Sequence, residues 1–357
     1  MLEDFLFVNE QYPWFFATMA FLFGACWGSF ANVVIYRVPA GKSIVTPRSH
    51  CYACGKPLAV RDNLPIVGWL ILRGRARCCG APFSPRYAIV ETLMGALFAT
   101  CWLVYPPLTA LCGFLLIFLL VVGTFIDWDT QELPDFVTVG GAAAGVLLSV
   151  LVPSLHLGSG DQLFPLANAQ AFLSATLGAT VGAGLLLWIA IFAETLLRKE
   201  AMGLGDPLLV GTIGAFCGWE GAIFSIFGGS VIGGVCLAIL ILLNATTGWN
   251  LTPGKVEPAR QTAKPTTPGD GKAITADALD APKADPADGS GQADPRAQAG
   301  DPDPEKRDED EADPALAFGA GIPFGPWLAA GGLVYFLGLR ETVDAFFAQA
   351  RFLILGS

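Results

Sequence analysis

The sequence predicts an all-α polytopic membrane protein with about eight transmembrane helices and a cytoplasmic zinc-type loop. Hydrophobic residues make up 53% of its 357 residues and charged residues only 15%, and the mean hydropathy is +0.55. Soluble domains rarely combine so many apolar residues with so little charge. Much of the net charge of −10 comes from residues 253–314, which hold 15 acidic and 8 basic residues. The remainder is close to neutral, which argues against nucleic acid as a partner.

Eight apolar segments are candidates to cross a bilayer, which takes about 20 apolar residues. They are residues 14–38, 88–105, 108–126, 136–152, 171–197, 208–218, 221–243 and 323–339. The first is too long for a cleaved signal peptide and lacks a basic start. Segment 208–218 is a half-helix unless residues 201–207 extend it. Residues 341–355 are typical of an interfacial tail helix.

Basic residues set the predicted orientation. The loop 39–87 holds eight Lys or Arg residues against one acid, Asp62, so it is predicted to be cytoplasmic, with the N-terminus outside. Eight crossings then place residues 127–135 and 198–206 in the cytoplasm as well. The loop 153–170, which has no Lys or Arg, falls outside.

These patterns divide the chain into five parts. Residues 1–38 form the first transmembrane helix, 39–87 the Cys-rich loop, 88–251 the transmembrane core, 252–317 an acidic cytoplasmic insert, and 318–357 the last transmembrane helix and tail. The insert is rich in Ala, Pro, Asp and Gly and has no aromatic residue. Such a segment cannot bury enough apolar surface to offset its ordering entropy, so it is predicted to be a disordered linker. A binding tail is the alternative.

Carboxylates at the predicted membrane edge are the first candidates for chemistry. Asp127, Asp129 and Asp135 lie in the turn between two spans, and Asp206 begins a later span. Acids at helix ends often only cap the helix or mark the water boundary. A carboxylate partly sunk among apolar residues is costly, however, and indicates function. Two such carboxylates can share a proton, so that one activates water while the other polarises a carbonyl.

Two glycines precede the later acid, at Gly203 and Gly205. Because glycine has no Cβ, these positions would let the backbone approach a substrate strand closely.

Four cysteines form the second candidate site. Cys51 and Cys54 have the spacing of a metal knuckle, and Cys78 and Cys79 follow in the same loop. In a cytoplasmic loop this pattern favours structural zinc over a disulfide. Adjacent cysteines close a tetrahedron less easily, so three cysteines with His50 or water are an alternative set. Reduced thiols without a metal are the other alternative.

Taken in order, these segments resemble type IV prepilin peptidases, the bifunctional leader peptidase and N-methyltransferase family. The resemblance lies in GSFANVVIYRVP at residues 28–39, the loop between residues 51 and 91, Asp127 with LPD at 133–135, and GLGD at 203–206. IPFGP at 322–326 resembles the start of the family's last span. The match covers nearly the whole chain except the insert and the extreme ends.

The resemblance implies a GxGD-type aspartic endopeptidase of the bacterial inner membrane, with its active site at the cytoplasmic face among membrane lipids. Asp127 and Asp206 would be the catalytic pair, and Asp129 and Asp135 supporting acids. The enzyme would cleave prepilins or pseudopilins of type IV pilus or type II secretion systems after a glycine. It would then methylate the new N-terminus with S-adenosyl-L-methionine.

At two positions the sequence differs from the family pattern, and both differences affect the predicted function. Ala76 stands where the family usually has a cysteine, and Leu208 stands where it often has a lysine. The altered loop leaves open a peptidase without methyltransferase activity. A protein of another class, a non-catalytic assembly or transport protein on the same scaffold, is the second alternative. The presence of both Asp127 and Asp206 argues against it.

Overall fold

A computed structural model describes residues 2–47, 49–51, 53–156, 164–198, 202–247 and 323–355. Within them the structure is helical, and the only β pairing consists of two isolated bridges in the Cys-rich loop. The helices are α1 Leu2–Gln11, α2 Pro13–Arg37, α3 Val67–Leu72, α4 Arg86–Val104, α5 Pro107–Thr130, α6 Val139–Leu151, α7 Phe164–Leu197, α8 Gly205–Thr247, α9 Gly325–Val334 and α10 Arg340–Leu355. The predicted insert lies outside the described residues.

Five of the described helices are long and apolar enough to cross a membrane. They are α2, α4, α5, Pro165–Leu197 within α7 and Gly205–Leu243 within α8. Helix α6 has 13 residues, about 20 Å of rise, and α9 is shorter still. The helical membrane fold is therefore confirmed, while the count of eight crossings stays a prediction.

Helix α8 bends sharply at Gly218, whose φ of 76° and ψ of 178° are not helical. Glycine adopts a positive φ without steric penalty. Val210 and Ala222 lie before and after this bend, and both contact Gly182 of α7. A Cβ at Gly182 would lie 2.9 Å from the Val210 carbonyl oxygen and 2.8 Å from the Ala222 Cβ. Those two residues would be about 18 Å apart along a straight helix. Helix α8 therefore folds back on itself, and its first part is a half-helix.

Helix α5 lies at the centre of the fold, and most of its apolar stretch is buried. It packs against α2, α4 and α9, because apolar residues cover nearly its whole circumference. A helix that is hydrophobic all round is stable when other elements surround it. The Phe98 ring of α4 stacks on Phe114 of α5 at a centroid distance of 4.1 Å. This burial fixes the position of the polar last turn of α5.

The tail is helical, as the sequence predicts. A π-helical turn, Tyr335–Leu339, connects α9 to α10. Helix α10 exposes Phe346, Phe352 and Leu353, which gives it an amphipathic character suited to a membrane surface.

Candidate active site and cysteine cluster

Asp127 lies in the last turn of the buried helix α5. Its residue exposure is 5%, and its Oδ2 atom is buried without a hydrogen-bond partner among the described residues. Helix α5 ends three residues later, where Gln131 takes a left-handed conformation and its amide donates to the Asp127 carbonyl at 2.9 Å. The sequence turns polar at this point, so the helix end holds the carboxylate between the core and the water boundary.

Asp206 is the second residue of α8 and is half-buried. Its carboxylate and that of Asp127 converge on Gly325, the first residue of α9. A Cβ at Gly325 would lie 2.5 Å from Asp127 Oδ2 and 3.2 Å from Asp206 Oδ1. The structure therefore brings the two predicted aspartates together, and a Cβ at position 325 would displace the Asp127 carboxylate and press on that of Asp206.

The two glycines of the GLGD motif have different surroundings. A Cβ at Gly205 would lie 3.0 Å from the Cβ of Leu133, so Gly205 packs against the turn that follows α5. This contact brings the start of α8 beside the end of α5. Gly203 is exposed, and an added Cβ there meets no described atom within 4 Å. Gly203 is thus the glycine that a substrate backbone could approach.

The two predicted supporting acids have surroundings of their own. Asp129 is bound by Arg86, whose Nη1 and Nη2 atoms donate to its two carboxylate oxygens at 2.8 Å and 2.7 Å. Asp135 is exposed and ends the turn after α5. The sequence motifs assign no role at this site to Gly325 or Arg86. The only signal for Gly325 is its place in IPFGP.

The four cysteines come together as one cluster. The Sγ atoms of Cys51, Cys54, Cys78 and Cys79 all lie within 4.8 Å of one another. Cys51 Sγ is 3.6 Å from Cys79 Sγ, and Cys54 Sγ is 3.3 Å from Cys78 Sγ. A tetrahedral ion with metal–sulfur bonds of about 2.3 Å needs sulfurs slightly under 4 Å apart. The cluster therefore fits a tetrahedral metal ion with little adjustment.

Two similar hairpins present these cysteines. In the first, the Cys51 amide donates to the Lys56 carbonyl at 2.8 Å, and the Gly55 amide donates to the Cys51 carbonyl at 2.9 Å. In the second, the Ala76 amide donates to the Ala81 carbonyl at 2.8 Å, and the Gly80 amide donates to the Ala76 carbonyl at 2.7 Å.

By this equivalence, Ala76 stands in the place of Cys51, and Cys79 in the place of Cys54. Cys78 supplies the fourth sulfur from within the turn. The structure thus brings together all four predicted cysteines, including the adjacent pair, and His50, the alternative ligand, is not a member of the cluster.

The surroundings of the thiols also favour a cation. The Cys54 backbone amide donates to the Cys51 sulfur and is the main reason that the Cys51 pKa is lowered to about 6. The hydrogen bond between the Cys54 and Cys78 side chains raises the Cys78 pKa to about 12. Cys51 is thus the thiol of the cluster that ionises most readily, and a bound metal ion would favour ionisation of the remaining thiols.

Comparison with known proteins places the chain in a family. Residues 22–105 match the Bacterial Peptidase A24 N-terminal domain, and residues 113–238 match the Type IV leader peptidase family. A prepilin leader peptidase/N-methyltransferase of Klebsiella pneumoniae is 38% identical over 231 residues, which are 62% of this chain and 94% of the relative. The chain belongs to the type IV leader peptidase family.

Two further relatives agree with this assignment. The prepilin leader peptidase/N-methyltransferase of Myxococcus xanthus is 39% identical over 249 residues, which cover 68% of this chain and 69% of the relative. A type 4 prepilin-like proteins leader peptide-processing enzyme of Escherichia coli is 34% identical over 230 residues, covering 59% of this chain and 80% of the relative. No solved structure matches the chain.

The two matched regions contain both candidate sites of this leader peptidase. The cysteine cluster lies within residues 22–105, and Asp127 and Asp206 lie within residues 113–238. Gly325 lies beyond both regions, although a Cβ at this position would approach both aspartates. Leu208, which replaces the lysine expected from the resemblance, is 41% exposed two residues after Asp206. The surface two residues after Asp206 is therefore apolar and not cationic at this position.

Proposed function

We propose that this leader peptidase hydrolyses the leader peptides of type IV prepilins or pseudopilins after a glycine, with Asp127 and Asp206 as the catalytic pair. The convergence of both carboxylates on Gly325 is the observation that supports these roles most strongly. The names of the relatives supply the substrate class.

The geometry suits the chemistry of an aspartic peptidase. Two carboxylates that share a small volume resist double ionisation, so one is protonated while the other is ionised. The ionised aspartate takes a proton from water as the water oxygen attacks the scissile carbonyl carbon. The protonated aspartate donates to the carbonyl oxygen. As the carbon–nitrogen bond breaks, the aspartate that took the proton from water passes it to the leaving nitrogen, which becomes the new N-terminus, and a hydroxyl proton of the intermediate returns to the other aspartate.

We propose that the site lies at the cytoplasmic face of the inner membrane, where the substrate leader and water are both accessible. The positive charge of the loop 39–87 supports this orientation. The contact between Arg86, at the end of that loop, and Asp129, beside the catalytic aspartate, puts the loop and Asp127 at one end of the helix bundle. Anionic lipid headgroups would attract the same loop.

Methylation of the new N-terminus is the second activity that we assign, and the names of the relatives support it. S-adenosyl-L-methionine would supply the methyl group. The sequence contains no Gly-rich dinucleotide-type fingerprint, so the donor would bind in another way.

Structural zinc is the metal that we assign to the cysteine cluster. Cys51, Cys54, Cys78 and Cys79 would hold it, since four thiolates in tetrahedral array are typical of structural zinc sites. Such a site has no open coordination position for substrate. The ion would then stabilise the loop and take no part in the chemistry.

The two alternatives make distinct predictions. A peptidase without methyltransferase activity would cleave and leave a free amine. A non-catalytic scaffold would do neither, and it would gain nothing from burying a carboxylate such as that of Asp127 among apolar residues.

The test uses the purified full-length protein in lipid vesicles with a synthetic prepilin. Mass spectrometry of the product should show cleavage after the glycine, followed by the gain of one methyl group when S-adenosyl-L-methionine is added. Cleavage without the mass gain would favour the peptidase-only alternative. An unchanged substrate would contradict the proposal.

A further inference from the structure

Arg86 joins two helices that meet beside the aspartate pair. It is the first residue of α4, and its guanidinium reaches the last turn of α5. There Nη1 and Nη2 donate to the two oxygens of Asp129 at 2.8 Å and 2.7 Å, and Nη2 also donates to the Phe125 carbonyl at 3.2 Å. The guanidinium carbon lies 4.9 Å from the centre of the Phe125 ring. This is a two-pronged contact of the kind that arginine, and not lysine, can make.

Arg86 is badly placed for the stability of its own helix. The N-terminus of a helix bears partial positive charge, so a cation there is unfavourable, and α4 has no acid in its first turn. The C-terminus of α5 bears partial negative charge, so a cation there is stabilising. The last turn of α5 contains no basic residue of its own. Arg86 supplies that cation from the neighbouring helix. Its contribution is therefore to the end of α5.

The contacts of Arg86 lie on both sides of Asp127. Phe125 is two residues before the catalytic aspartate and Asp129 two residues after it, so the two contacts lie about one turn apart on one face of α5 and bracket Asp127 along the helix axis. The pair is only partly exposed, with side-chain exposures of 33% for Arg86 and 28% for Asp129. Solvent therefore screens the pair less than it would a surface ion pair.

The segment that ends in Arg86 begins at the cysteine cluster. Between them the Phe83 amide donates to the Gly74 carbonyl at 2.9 Å, and the Ser84 hydroxyl accepts from the Arg86 amide at 3.2 Å. These bonds tie the end of the loop to the hairpin of Cys78 and Cys79. A short, hydrogen-bonded path thus leads from the cluster to the last turn of α5.

We propose that Arg86 is a positioning residue for peptide cleavage, which clamps the last turn of α5 around Asp127 and links the cysteine cluster to the active site. The proposal depends on the proposed function, since it takes Asp127 as catalytic. Asp129 then acts through Arg86 as the other half of the clamp. Loss of the clamp would let the Asp127 carboxylate move away from Asp206 without removing any group that binds substrate.

The test is a double-mutant cycle on cleavage of a synthetic prepilin, with Arg86→Gln, Asp129→Asn and the double variant. We expect Arg86→Gln to lower kcat about tenfold or more, with KM changed by less than about twofold, because misplacement of a catalytic group affects chemistry more than binding. The double variant should be no slower than Arg86→Gln, since the two residues act as a unit. Arg86→Lys should recover only part of the rate.

Arg77→Gln is the matched control. Arg77 pairs with Asp62 at 2.9 Å in the same loop, and no contact between Arg77 and α5 is found among the described residues, so kcat should be unchanged. Thermal melting of each variant separates lost positioning from lost folding. If Arg86→Gln does not fold, Arg86→Lys takes its place with the same split between kcat and KM.

The outcomes separate this inference from the proposed function. A native kcat in Arg86→Gln while Asp127→Asn is inactive would overturn the inference alone. Losses that multiply in the double variant would overturn it too, because Arg86 and Asp129 would then act independently. An equal loss in Arg77→Gln would also overturn it, because Arg86 would then serve only the stability of the loop. Cleavage by Asp127→Asn would overturn the proposed function.

Discussion

Burial of the Asp127 carboxylate destabilises the folded protein, and the packing of the fold alone does not explain why it is buried. Its residue exposure is 5% and one of its oxygens has no described partner. A buried polar group that lacks a hydrogen bond destabilises a protein by roughly 1–3 kcal/mol, and a charged group by more. Conflicts of this kind between local chemistry and stability are typical of functional sites. The residue therefore supports a catalytic interpretation before any comparison is made.

Gly325→Ala should slow cleavage strongly while leaving the protein folded. The new Cβ would lie 2.5 Å from Asp127 Oδ2, so the carboxylate or the start of α9 must move. We expect the cleavage rate to fall about 100-fold. Gly338→Ala is the matched control, since a Cβ there meets no described atom within 4 Å. The measurement is the rate of prepilin cleavage at equal amounts of folded enzyme, and a native rate for Gly325→Ala would contradict the geometry.

The sequence predicts both aspartates, because carboxylates at apolar helix ends are conspicuous. It does not predict the contact with Gly325, which lies far along the chain and only approaches Asp127 when α9 packs against α5. Nor does it predict the partner of Asp129, because an exposed acid in a turn is ordinarily solvated. Such contacts depend on tertiary packing, which residue spacing does not specify.

At the scale of elements, the cysteine hairpins show how a departure from a motif can be compensated. Ala76 occupies the position equivalent to Cys51, and Cys78 provides the missing sulfur from the turn. The sequence identifies all four cysteines as candidates. It could not show that adjacent residues reach one centre, because the direction of each side chain depends on the turn that places Gly80 at a φ of 71°.

Cys78→Ser should weaken metal binding at least about tenfold, and Ala76→Cys in the same chain should restore it. The restored cysteine would complete a second hairpin equivalent to that of Cys51 and Cys54. Elemental analysis and competition with a zinc chelator give the metal content and affinity. Cys26→Ser, which alters an exposed thiol outside the cluster, is the control. Native affinity in Cys78→Ser with loss in Cys79→Ser would show that Cys78 is incidental.

The bend in α8 is a second feature that the sequence predicts only in part. The sequence leaves two possibilities for residues 208–218, a full crossing or a half-helix, because the apolar run is too short to decide. The structure has a half-helix that turns back at Gly218. Glycines in α7 and α8 allow the close packing, yet glycine is so frequent in this chain, at 42 residues, that no single one marks the bend beforehand.

For the whole molecule, composition alone is sufficient to predict a helical membrane protein. The helices overlap every predicted span in the described part of the chain, since long apolar runs can satisfy their backbone only as helices in a bilayer. The number of crossings is harder to predict. The length of a short helix such as α6 does not show whether the chain crosses the bilayer there, because neighbouring segments can complete the crossing.

Removal of residues 258–310 should leave leader cleavage nearly unchanged. The segment is acidic, rich in Pro and Ala, and without aromatic residues, a composition that contributes no packed core. The measurement compares cleavage by the deletion variant and the full chain at matched levels in the membrane. A variant that inserts normally and has lost activity would show that the segment takes part in function.

The central claim is that Asp127 and Asp206 form one catalytic pair, and single replacement by asparagine tests it most directly. Asparagine has nearly the same shape but cannot accept the proton from water. The ratio of processed to unprocessed prepilin, measured over time at matched enzyme levels, should fall about 1,000-fold or more in Asp127→Asn and in Asp206→Asn. Asp135→Asn, an exposed acid in the same turn, should remain near native. Near-native processing by either of the first two variants would contradict the account, and an equal loss in Asp135→Asn would mean that the first catalytic aspartate is misassigned.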